Sequence, residues 1–142
     1  MATDLKVVGR ALLDKAVDSD NVERETFKFN DFFTALYADR PREGRIGRIE
    51  RDVTAVVTCY EGTPGREYTL SLALAYPEGS GREPLGLRQQ PFVRQATFSQ
   101  TLVLSLKLRF DHVESGTYYI RVLVDLEPLV EFAMPVFWSD ES

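Results

Sequence analysis

Residues 97–110 alternate in character: Phe98, Leu102, Leu104, Leu106, Leu108 and Phe110 share one parity, while Ser99, Thr101, Ser105, Lys107 and Arg109 share the other. A period of two sends successive side chains to opposite faces of an extended backbone, so this stretch predicts a strand with one core face and one wet face. Residues 67–76 repeat the pattern, with Tyr68, Leu70, Leu72, Leu74 and Tyr76 against Thr69, Ser71, Ala73 and Ala75. Two such strands bury each other's apolar rows only if they belong to facing layers.

Other segments extend the sheet reading. Residues 52–60 are β-branched and apolar on both parities, as in a central strand. Residues 117–125 and 129–137 predict an antiparallel hairpin turning at Leu126, Glu127 and Pro128, with Tyr118, Ile120, Val122 and Val124 inward and Val130, Phe132, Met134 and Val136 opposite them. Pro135 has no N–H to give to a ladder, so 129–137 is expected either at a sheet edge, where partners can pair, or limited in length. Residues 6–17 and 26–37 also read as strands, the second broken in alternation by Phe27, Phe29, Phe32 and Phe33 as by a β-bulge. One helical turn over 32–36 is the most helix the periodicity allows.

Three Gly- and Pro-bearing connections separate these strands: 38–51, 61–66 and 77–91. Parallel pairing would need crossover helices that are not predicted, so the expected fold is all-β: a single antiparallel β-sandwich domain spanning 1–142, with seven to eight strands.

Ala11-Leu12-Leu13-Asp14-Lys15-Ala16-Val17-Asp18, Phe29-Asn30-Asp31-Phe32-Phe33 and Ser115-Gly116-Thr117-Tyr118-Tyr119-Ile120-Arg121-Val122-Leu123-Val124-Asp125 together resemble an uncharacterised bacterial family of stand-alone immunoglobulin-like β-sandwich domains. The resemblance implies that fold and a bacterial origin, and it carries no activity or site residues.

Function is approached by exclusion. No apolar run is long enough to span a bilayer, and Asp4, Lys6, Arg10, Asp14 and Lys15 interrupt the N-terminus where a secretory signal needs an apolar core, so a cytoplasmic protein is expected. Cys59 is the single cysteine, which agrees with a reducing compartment and reads as a small buried hydrophobe. The net charge of −5 repels polyanions and argues against nucleic acid as the main partner. After Arg121 every charged residue is acidic: Asp125, Glu127, Glu131, Asp140 and Glu141.

Asp111, His112 and Ser115 have the residue types of a hydrolase triad, but three residues of one turn do not reach triad geometry, and a solvated turn is the better reading. With one His and one Cys a zinc site is excluded, and no cofactor is expected. Asp14, Asp18, Asp20 and Asn21 offer oxygen ligands for calcium without the spacing of a dedicated loop. Arg40, Arg42, Arg45, Arg48 and Arg51 would grip an anion if they converged. The interleaved Asp39, Glu43, Glu50 and Asp52 leave that stretch only one net positive charge. The 77–91 loop holds no phosphate-cradling motif, and its Leu85 and Leu87 are candidate partner anchors that more readily fold back on the domain. Phe132, Phe137 and Trp138 complete the candidate interface, with packing the preferred role for Trp138.

These readings favour a non-catalytic module acting through protein contacts, at an edge strand or by homodimerisation. Anion or calcium binding at the loop end is the alternative, and a glycosidase-like carboxylate pair is permitted by the composition without being marked by any motif.

Overall fold

The computed structural model describes residues 3–14, 35–38, 47–112 and 115–138. Eight strands and no helix occur among them: β1 (Leu5–Asp14), β2 (Leu36–Ala38), β3 (Gly47–Glu61), β4 (Glu67–Ala75), β5 (Leu85–Val93), β6 (Ser99–His112), β7 (Gly116–Val124) and β8 (Glu127–Trp138). They form a three-stranded sheet, β1-β3-β6, and a five-stranded sheet, β2-β8-β7-β4-β5, which curls into half a barrel.

The alternation read from the sequence sets the inner faces. Val53, Ala55, Val57 and Cys59 of β3 and Leu102, Leu104, Leu106, Leu108 and Phe110 of β6 share one core with Tyr68, Leu70, Leu72 and Leu74 of β4, the Tyr118 to Val124 row of β7 and the Val130 to Val136 row of β8. β3 is central, as its two apolar parities predict. Leu13 and Val56, with Ala11, form a second small cluster on the outer face of the three-stranded sheet. Val8 bulges out of β1, where the register with β3 jumps from Val7 to Gly9.

Five expectations are corrected. Not all pairing is antiparallel, because β2 runs parallel to β8, with Leu36 beside Val136 and Ala38 beside Trp138. β8 is therefore an interior strand, flanked by β7 and β2, and Pro135 sits beyond the three residues that β2 pairs. The hairpin turns at Asp125 and Leu126, both at positive φ (50° and 68°), the tight primed turn whose twist matches its strands, so Glu127 and Pro128 already belong to β8.

The 77–91 loop ends at residue 84, since Leu85–Val93 pairs with β4 as the edge of the larger sheet. An edge tolerates Pro91, and the polar run Arg88-Gln89-Gln90 hides its strand character. Phe98, read as a core residue, precedes β6 and is 86% exposed, stacked on Tyr60 with ring centroids 6.2 Å apart. The remaining calls on the first third, residues 15–34 with their Phe-rich bulge and most of the helical turn, lie outside the described residues.

Candidate functional site

Of the five arginines expected to share a loop, Arg40, Arg42 and Arg45 lie outside the described residues, and the other two are in a strand. Arg48 and Arg51 stand three positions apart in β3, so a regular strand sends them to opposite faces and these two do not converge. Arg48 pairs with Asp111 across the register at 3.7 Å, and Arg109 pairs with Glu50 at 3.1 Å. Asp52 faces Lys107 in the next row, so the outer face at this end is a ladder of opposite charges that satisfies itself.

Asp111 and His112 end β6 rather than forming a turn, the Asp111 carboxylate faces Arg48, and the Ser115 hydroxyl accepts from the Trp138 backbone N–H at 3.2 Å. Of the candidate calcium ligands only the backbone of Asp14 is described. Among the described residues no three His, Cys, Asp or Glu side chains form a group able to hold a metal.

Arginine has a different role here. The guanidinium of Arg94, 3% exposed, lies among carbonyls: Nε donates to Glu61 (2.7 Å), Nη1 to Gln95 (2.7 Å), and Nη2 to Thr97 (2.9 Å) and Phe98 (3.1 Å). Its planar fork satisfies four backbone acceptors of the β3–β4 and β5–β6 connections at once, which is what makes a buried cation tolerable. Arg82 and Arg88 donate across the seam between the sheets to the carbonyls of Asp111 (3.3 Å) and Ser105 (3.0 Å) on β6. On the opposite seam Arg10 of β1 donates to the Glu131 carbonyl of β8 (3.2 Å). Carbonyls along the seams that would otherwise accept a foreign strand are thus engaged from within the chain.

One pole carries a linked polar cluster. The Tyr68 hydroxyl donates to Asp4 and accepts from the Thr63 N–H, both at 3.0 Å, and the Arg66 guanidinium lies 4.6 Å above the Tyr68 ring. Arg66 also pairs with Asp125 at 3.1 Å, whose other oxygen accepts from the Thr69 N–H. Each group in this chain of contacts is held by its neighbour, which suits fixing the turns.

The outer face of the five-stranded sheet differs from all of these. Strand parity places Thr117, Tyr119, Arg121 and Leu123 of β7 on it beside Pro135, Ala133, Glu131 and Pro128 of β8, in direct cross-strand register, with Ser71 and Ala73 of β4 continuing the Leu123 and Arg121 rows. Phe137 and Tyr37 extend it onto β2, their ring centroids 6.1 Å apart, with Tyr37 57% exposed. In the rows from Leu123 to Thr117 the charges on β7 and β8 are Arg121 and Glu131, which meet at 2.9 Å. A shallow groove lined by Arg10, Arg121, Leu123, Pro128, Leu129 and Glu131 runs along one side, where Leu129 is the extra residue of the β7–β8 ladder.

The other candidate interface residues divide by burial. Phe132 and Trp138 are buried inside the chain and present nothing to a partner, Leu87 packs on the core, and Leu85 is partly exposed on β5. Only Phe137 belongs to the outer face. The alternation of residues 117–125 and 129–137 implies that Tyr119, Arg121, Leu123 and Ala133 face away from the core, but alternation alone does not join them to Tyr37 on one surface.

No family model and no curated protein matches the sequence. Among solved structures, the chain is similar to the Pseudomonas fluorescens alkylpurine DNA glycosylase AlkC, bound to DNA containing an abasic site analog, with a TM-score of 0.51 and 12% identity over 95% of this chain and 31% of that one. A β-D-glucoside glucohydrolase from Trichoderma reesei aligns with a TM-score of 0.47 and 14% identity, over 94% of this chain and 19% of that one. The chain thus spans under a third of either protein, and the first likeness is one of fold alone.

Proposed function

We propose that the chain is a single immunoglobulin-like β-sandwich domain, non-catalytic, that works through protein contacts made by the outer face of its five-stranded sheet. The observation that carries this reading is that face: Tyr37, Phe137, Tyr119, Ala133 and Pro135 form a surface of aromatic and small apolar residues, separated from Leu123 and Pro128 by the Arg121–Glu131 ion pair, with Arg10 at the margin. Interfaces are enriched in such aromatics and depleted of net charge at their centres. Elsewhere the described surface carries self-paired charges on the small sheet, arginines that occupy seam carbonyls, and apolar residues that stand apart from one another, Val8, Val93, Leu126 and the Phe98 ring on Tyr60.

The sheet face replaces the edge of residues 129–137 as the contact surface. β8 has neighbours on both sides at its C-terminal end and a carbonyl held by Arg10 near its middle.

A benzophenone photocrosslinking residue in place of Tyr119 tests the reading, with the same residue in place of Val8, on the opposite sheet, as control. Adducts that form in native cells from the Tyr119 position and not from Val8 are expected. Equal labelling from both positions, or none from Tyr119, would overturn it.

A further inference from the structure

We infer that the partner seated on this face is a second copy of the same chain, packed face to face about a two-fold axis that lies between β7 and β8 and runs parallel to them. The inference rests on the reading of that face as the contact surface and names its occupant.

The register of β7 and β8 supplies the complementarity. A two-fold rotation about a line parallel to the strands and midway between them keeps each residue's height along the strand and exchanges left for right. Every residue of β7 then lies over its own cross-strand partner in the other copy. Arg121 faces the second copy's Glu131, Tyr119 faces Ala133, Leu123 faces Pro128 and Thr117 faces Pro135, because these are the registered pairs within one chain.

Opposite charges meet, and the large ring of Tyr119 meets the smallest side chain on β8. A patch that pairs with itself in this way is what an isologous interface requires. An unrelated partner would need a surface built to the same pattern.

Charge also favours the second copy at this place. Two molecules of net charge −5 repel at long range, and a face whose charges are the Arg121–Glu131 pair with Arg10 at its margin lacks that negative excess, so they approach there at less cost.

The test is the solution mass of the wild type and four variants by light scattering at about 100 μM protein, with folding checked by circular dichroism. The wild type is expected at twice 16.1 kDa. Arg121→Glu makes the central row wholly negative and Glu131→Arg makes it wholly positive, so each alone is expected to weaken association by at least about tenfold. Mixing the two variants is expected to restore a dimer, and so is combining them in one chain, as a residue needed only for folding would not.

Ala133→Glu, opposite Tyr119, is expected to give a folded monomer. A monomeric wild type would overturn the inference, as would a dimer indifferent to Ala133→Glu or a mixture of charge variants that stays monomeric. A monomer whose Tyr119 crosslinker still captures a different protein would leave the contact face standing and remove only the second copy.

Discussion

Arg94 and Glu61, 33 residues apart, are joined by a 2.7 Å hydrogen bond from a buried guanidinium to a backbone carbonyl. That contact ties the end of β3 to the connection between β5 and β6, and it leaves the cation dependent on carbonyl dipoles. Arg94→Met removes the donors and strands four acceptors. A loss of about 3 kcal/mol is expected in urea unfolding. Arg94→Lys should recover only part of it, since an ammonium cannot reproduce the planar fork. Equal stability of Arg94→Lys and wild type would show that the fork geometry does not matter.

Leu126 occupies the second position of the β7–β8 turn at φ 68° and is 76% exposed, so its side chain gains little packing for a left-handed backbone that costs about 1 kcal/mol. Leu126→Gly makes the turn Asp-Gly, the preferred pair for this geometry. Stability is expected to rise by about 0.5 kcal/mol, read as a higher denaturation midpoint.

Gly62 is at φ 78°, and a Cβ there would stand 2.6 Å from Leu5 Cδ2 and 3.0 Å from the Tyr68 hydroxyl. Gly62→Ala combines backbone strain with a clash against a buried side chain and the Tyr68–Asp4 bond. A destabilisation of about 2 kcal/mol or more is expected from thermal or urea unfolding, whereas Gly65→Ala, which also has positive φ but nothing within 4 Å, should cost less.

Cys59 is fully buried, and that burial raises its pKa above the ordinary 9.0, against a smaller opposing pull from Arg94. A thiol whose folded pKa is raised holds its proton more tightly when folded. Its contribution to stability is therefore present below pH 9 and is lost as pH rises through the folded pKa. The wild type is expected to lose melting temperature more steeply above pH 9 than Cys59→Ala. Native protein should react with a thiol reagent only at the rate of its opening.

Four of the eight strands, β4, β6, β7 and β8, follow closely from alternation, and the inward rows of the last two are all buried. β5 was hidden because an edge strand needs to bury only part of one face: Arg88 reaches across to Ser105, and its neighbours Gln89 and Gln90 are polar too. Phe98 misled because parity says nothing about where a strand begins, and it stands one residue before β6. Arg94 left no local signal. It sits among polar neighbours, Gln95 and Thr97, and its burial depends on carbonyls gathered from Glu61 and residues 95–98.

The sequence by itself determined which side of each regular strand is apolar, because that depends only on a residue's position relative to its immediate neighbours. It also determined that one cysteine and one histidine cannot supply the three or four nitrogen and sulfur ligands of a zinc site within one chain. Only the tertiary structure decided that β8 has neighbours on both sides at its C-terminal end, that Arg10, Arg82, Arg88 and Arg94 donate to carbonyls, and that Tyr37 joins Phe137 on an outer face. Those outcomes depend on strand order and on donors meeting acceptors from distant segments, and such distances are set by how the sheets pack rather than by the local pattern along the chain.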